Sequence, residues 1–571
     1  MEAFEKFIEN LSGFIWGGSW GGTEILPVGP VTVLLLGTGL FLMIRLAGRP
    51  LKRFFPTLGA VWRSRKGDGD PNTITAWQAL STALSGQVGT GNLAGVATAI
   101  TLGGPGAIFW MWITALFGMA LAFAESSLAI KFREKDANGR INGGPMYYIK
   151  NGLGSKWTWL AVIFCIGTLF SATATGGMVQ ANSITQTVVR SGGEIGIGIP
   201  TWSVGLVLAV LTFAVIIGGI KSIGNVAGKV VPLMALFYVT AAFVVLILNI
   251  SEVPSALALI VKSAFGWQEA AGGFTGVMMQ QAIRAGVARG LFSNEAGQGS
   301  APIAHAAAQT KNPVKQGEIA MVGVFIDTLV ICTMTALVIL SVPGDFKASP
   351  SLAAYQACSS ADLISLPEGA EDADYFPGAY VANRADKITE NGLAAASLLA
   401  SCQTANGALP ADQQIAGNVL NEAAIDAAST GAVLGVDRAW KADLEASAIT
   451  NQAYATALPG GGWIITVCLA LFAFTTIIGW SYYAEQAITF LVGEWATMPF
   501  RFVWVFVIFY GALAKVGFVW LFGDLANASM AFPNLIAIIA LSGVVMAMHR
   551  KNGDPDTENG DSVMLKGEGV E

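Results

Sequence analysis

Charge is what this sequence has least of: Asp, Glu, Lys and Arg make up 12% of its 571 residues, against roughly a quarter in a soluble globular protein. That scarcity excludes an ordinary water-facing surface. Histidine is scarcer still, with only His305 and His549, so neither a zinc site nor a nucleophile–base couple has the residues it needs, and the chain is not an enzyme. The five cysteines contain no CxxC pair. Cys165, Cys332 and Cys468 lie inside apolar runs and read as small core residues; Cys358 and Cys402 share a long polar insertion, and whether they pair depends on the compartment it faces. No basic patch with interleaved aromatics suggests nucleic acid. The opening MEAFEKFIENLSGFIW lacks a basic n-region and a small-residue cleavage site, so the hydrophobic segments downstream are expected to stay in the mature chain. Residues 3–16 read as a short amphipathic interfacial helix.

What is present is hydrophobic: 53% of residues, with a mean hydropathy of +0.58. The expected fold class is an all-α polytopic membrane protein. A spanning helix takes about 20 apolar residues, and eleven candidates fall at roughly 26–47, 73–101, 106–130, 157–189, 200–219, 223–249, 272–303, 318–342, 461–491, 499–523 and 528–548. The basic stretches RPLKRFFPTLGAVWRSRKGD, KFREKDANGR, KNPVK and HRK fall on one side if these spans alternate. That places the N-terminus outside and the C-terminus in the cytoplasm. The net charge of −6 says little about partners, because charge here is sorted by side of the bilayer. The insertion 344–460 then lies outside, with fourteen acidic against five basic residues. It reads as a small helical subdomain, with pieces such as ADLEASAITNQAYATAL, or as a partly disordered loop.

The chain also repeats itself. Residues 73–250 open on WQALSTALSGQVGTGNLAGVATAI and residues 251–549 on MQQAIRAGVARGLFSNEAGQGSAPIAHAAA, each a Gly-interrupted apolar segment followed by four further spans. Five is odd, so the second block enters from the opposite face as an inverted repeat. Paired interrupted segments point to a transporter's binding site, although Gly-rich membrane helices also pack closely for structural reasons. Residues 1–72 hold the amphipathic start, an extra span and a basic cytoplasmic loop; 550–571 read as a disordered cytoplasmic tail.

GQVGTGNLAG (86–95) has the glycines of a phosphate loop but no lysine after them. Inside a bilayer an unwound turn persists only where it lines a cavity or coordinates something. Unwinding there frees the amides of Thr90, Gly91 and Asn92 at the start of a half-helix, where they and the helix dipole suit a carboxylate. Carbonyls between Ser85 and Val88 are left to face a cation. The second break is expected at Ala285–Gly290, with the carbonyls of Ala285 and Gly286 facing a substrate ammonium. Gln180 is a costly side chain for a membrane helix, explained by substrate contact or by a helix–helix hydrogen bond.

GQVGTGNLAGVA, NGGPMYYIKNGLG (142–154), GLFSNEAGQGSAP (290–302) and GWSYYAEQA (479–487) resemble the signature stretches of the alanine or glycine:cation symporter family, within the LeuT-type architecture of the amino acid-polyamine-organocation superfamily. The resemblance covers nearly everything outside the insertion, the amphipathic start and the tail; the insertion is longer than the family pattern. It implies a five-plus-five inverted repeat with one extra N-terminal helix, and Na⁺-driven, in some members H⁺-driven, uptake of alanine or glycine by alternating access. By that resemblance Ser85 and Val88 give carbonyls, and Thr475 and Thr476 hydroxyls, to one Na⁺. Such a nearly neutral oxygen cage suits a monovalent hard cation, whereas without the resemblance the two threonines read as bonding back to helix carbonyls. No organic cofactor and no obligatory protein partner is evident; the expected partners are a small neutral amino acid and the bilayer, in a bacterial inner membrane.

Glu125, Arg284, Arg289, Glu295, Asp327 and Glu485 lie within or at the ends of spans and are functional candidates on that ground. Arg289 and Glu295 are expected to form a structural or gating ion pair, and Asp327 and Glu125 to serve as coupling-ion ligands or proton carriers. His305 reads as a packed or interfacial histidine. A channel needs repeated rings of carbonyls or charges, which two unlike breaks do not supply.

Overall fold

The computed structural model describes residues 2–20, 23–26, 28–66, 73–136, 139–194, 196–265, 274–342, 446–514 and 517–551. Cys358, Cys402, most of the insertion and the expected tail lie outside them. Helices dominate; the described strands are two short hairpins, Ser19–Trp20 with Thr23–Glu24 and Glu134–Lys135 with Ile141–Asn142.

The amphipathic start is helical over Glu2–Gly17 (α1), and the first apolar run gives α2, Pro30–Arg45, with proline at its first turn. The basic loop folds into α3, Arg49–Lys52, and α4, Phe54–Arg63. Next come α5, Ala76–Gln87, and α6, Gly91–Gly103, separated by a break. Thr75 starts α5 through a capping box, its hydroxyl accepting from Gln78 N (3.1 Å) while Gln78 Oε1 accepts from Thr75 N (2.9 Å). The first half of the chain continues with α7, Gly106–Lys131; α8, Pro145–Gly152; α9, Thr158–Ser171; α10, Val179–Glu194; α11, Thr201–Ile216; α12, Gly219–Leu248; and α13, Val253–Ala264.

The second half begins with α14, Phe274–Asn294, and α15, Ala301–Ala306, around a second break. Then follow α16, Pro313–Val324; α17, Thr333–Ser341; α18, Ala446–Ala457; α19, Gly461–Val492; α20, Thr497–Leu513; α21, Gly517–Ala540; and α22, Ser542–Lys551. Asn312 caps α16 by accepting from Val314 N (3.0 Å) and Lys315 N (3.1 Å). The eleventh apolar stretch starts earlier than its sequence suggested: α20 ends at Leu513 rather than near 523, because hydropathy stays high through the turn and hides it. Within ADLEASAITNQAYATAL, Ala446–Ala457 form a helix, α18, which packs on α19, and Thr450 Oγ1 donates to Leu93 O (3.0 Å).

Six of the described helices are long and apolar enough to cross a membrane, seven if the pair 525–540 and 542–551, bent by 56°, is one span. Large apolar side chains such as Leu206, Val210, Leu233, Leu236, Phe243 and Phe506 are exposed, a surface suited to contact with lipid. The polar residues are turned inward instead: Glu125, Asp327, Asn92 and Asn534 are fully buried. This is the plan of a helical, polytopic membrane protein.

Among the described residues, three π-helical stretches interrupt the α-helices: Gly91–Gly95, Ala172–Met178 between α9 and α10, and Phe325–Cys332 between α16 and α17. Such bulges gather at functional sites; the first adjoins the first break and the third packs on it.

At one end of the bundle the two broken helices are joined by their main chains. Ile74 N donates to Ala307 O (3.1 Å) and Gln309 N to Ile74 O (2.9 Å). Arg133 covers the same strand, donating to the carbonyls of Ala306 (2.8 Å), Ala308 (2.6 Å) and Thr310 (2.9 Å).

Candidate functional site

The first break follows from its glycines. Val88 leaves the helix with ψ of 92°. Gly89 N donates to Asn92 Oδ1 (2.8 Å), closing a local turn that replaces the helical ladder. Gly89 and Gly91 are small because neighbours press on them: a Cβ on Gly89 would sit 2.5 Å from Thr476 Oγ1, and one on Gly91 would sit 2.9 Å from Phe292 Cδ1. Of the amides expected to face a carboxylate, Thr90 N donates to Gln180 Oε1 (3.2 Å) and Asn92 N to Gly89 O (3.4 Å). Gln180 is itself oriented by the second π-helix, Nε2 donating to Thr175 O (2.9 Å). It therefore makes the interhelical bond that was one of its two sequence readings, and makes it to the unwound turn.

The second break is not where the sequence suggested. Ala285 to Gly290 run inside an unbroken α14, and the carbonyls of Ala285 and Gly286 belong to that helix. Gly286 and Gly290 serve packing: a Cβ would lie 2.4 Å from Ala107 O at the first and 3.1 Å from Thr114 Cγ2 at the second, so α14 crosses α7 at close range. The chain unwinds instead between Glu295 and Ser300, with positive φ at Glu295 (58°), Gly297 (89°) and Gly299 (90°). The Gly297-Gln298-Gly299 spacing followed by Pro302 at the start of α15 was the sequence signal for it.

Three fully buried carboxylates hold the breaks, and none forms an ion pair among the described residues. Asp327, in the third π-helix, accepts from Asn92 Nδ2 (2.5 Å), Ser293 Oγ (2.7 Å) and Thr328 Oγ1 (2.7 Å). Asn92 thus uses both ends of its amide, one capping Gly89 and the other on Asp327. Glu125 accepts from Gly297 N (3.0 Å) and Asn534 Nδ2 (2.5 Å). Asn534 also donates to Gly297 O (2.9 Å) and accepts from Tyr148 Oη. Glu295 accepts from Ser300 Oγ (2.7 Å), not from Arg289, whose guanidinium stands 5.8 Å from the Phe292 ring. The expected Arg289–Glu295 pair is replaced because the left-handed turn at Glu295 carries its side chain back over α15. Glu485 pairs bidentately with Arg501 (2.8 and 2.9 Å). His305 is packed against Gln316, Nδ1 to Nε2 2.6 Å.

At the expected cation site, Thr475 and Thr476 both donate back to Phe472 O (2.9 and 3.0 Å). Thr476 Oγ1 also comes within 3.4 Å of Val88 O, whereas Thr475 turns toward Met234 Sδ (3.5 Å) on α12. Ser85 Oγ is held by Thr82 O (2.7 Å), and α19 is drawn onto α5 by Gly479, where a Cβ would meet Ser85 Oγ at 2.5 Å. Phe472 O is an oxygen that the sequence did not single out. No cluster of three or more His, Cys, Asp or Glu ligands occurs among the described residues.

A narrow pocket with about 10 Å³ of water-sized space lies between the breaks. Gly91, Gln180 and Thr476 line it, together with Phe292, Gln298, Trp480 and Asn527, which the sequence did not single out. Trp480 reaches it because Gly176 gives way: a Cβ there would lie 2.5 Å from Trp480 Cγ.

A family model described as the sodium:alanine symporter family matches residues 1–366 and 389–563. The sodium/alanine symporter AgcS of Methanococcus maripaludis is 36% identical over 546 residues, 95% of this chain and 96% of its own. The probable sodium/glutamine symporter GlnT of Bacillus subtilis is 34% identical over 520 residues, 90% and 85% of the two chains. The putative sodium/proton-dependent alanine carrier protein YrbD of the same bacterium is 33% identical over 548 residues, 94% and 90%.

Proposed function

The chain belongs to the sodium:alanine symporter family, whose members are cation-coupled amino-acid transporters rather than enzymes, and from that premise we propose that it imports alanine or glycine with Na⁺ by alternating access. The observation that carries the reading is the unwound turn at 88–90, where Gly89 lines a pocket together with Thr476 and Gln180. The substrate carboxylate takes the amides of Thr90, Gly91 and Asn92, displacing Gln180, whose amide oxygen is the carboxylate's stand-in at Thr90 N. Na⁺ takes the Ser85 and Val88 carbonyls with the Thr476 hydroxyl, joined by Phe472 O and, after a small rotation, Thr475. Each ligand then raises the other's affinity by the same factor. One inward positive charge gains about 2.3 kcal/mol per 100 mV of membrane potential.

The proposed architecture is the five-plus-five inverted repeat of LeuT-type transporters with α2 as an extra helix. The two broken helices, α5–α6 and α14–α15, each open a set of five spans, which supports it. Alternation of eleven spans puts Arg49, Ile74, Arg133, Ala307, Glu318 and His549 on one side, the cytoplasm. Contacts support that too: besides the Ile74 and Arg133 bonds, Arg49 donates to Glu318 Oε1 (2.9 Å) and lies 3.0 Å from His549 Nδ1.

The test is uptake of [¹⁴C]alanine and [¹⁴C]glycine by proteoliposomes under an imposed Na⁺ gradient. Concentrative, Na⁺-dependent uptake is expected; equal uptake without any ion gradient rejects symport, and H⁺-driven uptake without Na⁺ moves the coupling to protons. In the same assay Thr476→Ala raises the Na⁺ concentration for half-maximal transport by about tenfold, roughly one lost ion–oxygen contact, and more than Thr475→Ala does. Unchanged Na⁺ dependence in both variants places the ion elsewhere. Arg133→Ala removes charge-assisted bonds from the joined ends of the broken helices. It is expected to raise Na⁺-independent alanine efflux several-fold, read in preloaded vesicles, and unchanged efflux would show that Arg133 does not hold that end shut.

A further inference from the structure

The cavity has one wall whose hydrogen-bonding capacity the protein leaves unused. Gln298 Nε2 donates to Asn527 Oδ1 (2.8 Å), and Ser171 Oγ donates to the same oxygen (2.5 Å). Those bonds fix the two amides and use one end of each. The Gln298 carbonyl oxygen accepts from no described group and the Asn527 amide nitrogen donates to none, and both residues line the pocket. Gln298 is 1% exposed and Asn527 3%. An apolar substrate side chain there would leave a buried acceptor and a buried donor unsatisfied, which is expensive.

An acceptor beside a donor defines what fits. An ammonium offers donors only and would leave the Asn527 nitrogen unpaired; a carboxylate offers acceptors only and would leave the Gln298 oxygen unpaired. A hydroxyl does both at once. We infer that Gln298 and Asn527 form a polar side-chain subsite, and that the preferred substrates are neutral amino acids bearing a side-chain hydroxyl, serine first. The serine hydroxyl donates to Gln298 Oε1 and accepts from Asn527 Nδ2. This rests on the reading of the cavity as the amino-acid site. It adds that alanine and glycine occupy that site with two protein hydrogen-bonding groups unmet. The position is also built for selectivity: a site that hydrogen-bonds a substrate hydroxyl rejects the isostere lacking it far more strongly than an apolar pocket rejects a missing methylene.

The experiment compares L-serine with L-2-aminobutyrate, which differ by a hydroxyl against a methyl group. Both compete against [¹⁴C]alanine in proteoliposomes holding the full chain under a Na⁺ gradient. Serine is expected to inhibit at a concentration about tenfold or more below that of 2-aminobutyrate. Equal inhibition, or a preference for 2-aminobutyrate, overturns the inference while leaving alanine symport standing. Asn527→Leu and Gln298→Met should each bring the ratio toward one, and a native ratio in both variants overturns the assignment to these residues. If the native protein takes up no alanine, the symport reading fails. The ratio is then read from ligand-induced shifts in thermal unfolding of the purified protein with Na⁺, where a serine preference upholds the subsite and its absence rejects it.

Discussion

Asp327→Leu should reduce Na⁺-driven amino-acid uptake to below about one per cent of the native rate. The carboxylate accepts three hydrogen bonds, from Asn92, Ser293 and Thr328, and so ties α6, the α14 side of the second break and the third π-helix to one point. Leucine takes the short carboxylate acceptor from all three donors, leaving Asn92 Nδ2 the longer contacts to Asp327 O (3.3 Å) and Ser293 Oγ (3.1 Å), at about 1–3 kcal/mol for each bond lost, enough to disorganise the turn that Asn92 caps. Asp327→Asn keeps an acceptor oxygen and should retain measurable uptake. The check is transport and thermal unfolding of both purified variants against the native protein. Near-native uptake by the leucine variant would show that Asp327 neither organises the break nor takes part in coupling.

Gly91→Val should weaken substrate binding by at least about a hundredfold. Its Cβ would enter at 2.9–3.0 Å from the Phe292 ring edge, and its branched methyls would cover the amides that the carboxylate is proposed to use. Gly95, in the same π-helical stretch, makes the control: a Cβ there comes no closer than 4.0 Å to Phe292, so Gly95→Ala should bind within about twofold of native and gain slightly in stability. Equilibrium binding of labelled alanine with and without Na⁺ decides it. Equal affinities for the two variants would remove the carboxylate from this turn.

The first break was legible because everything it needs is local: glycines at 86, 89, 91 and 95, an asparagine able to cap, and no lysine. The second was misplaced because glycine has two uses that a sequence does not separate. Gly286 and Gly290 look like an interruption but are the close approach of α14 to α7, while the real unwinding begins on Glu295, a non-glycine residue in left-handed backbone. The π-helices were invisible for a related reason, since one widened turn uses the same residue types as an α-helix. Trp480 and Asn527 lie about 390 and 440 residues after the first break, and nothing in their own neighbourhoods says that they face it. Glu125 was recognised as an ionisable residue in a span, but its role in holding Gly297 needed the fold.

The joint between Ile74, Ala307 and Gln309 is made from main-chain atoms alone. Truncating the Gln309 side chain leaves both N–H···O bonds formally in place, while Ile74 and Ala307 are also held by packing in a small buried cluster. Only chemistry that edits the backbone reaches it: proline at position 309, or an amide-to-ester replacement there, removes the one N–H that closes the strand onto Ile74. The joint thus combines two bonds that side-chain truncation does not remove with the Arg133 cover that it does.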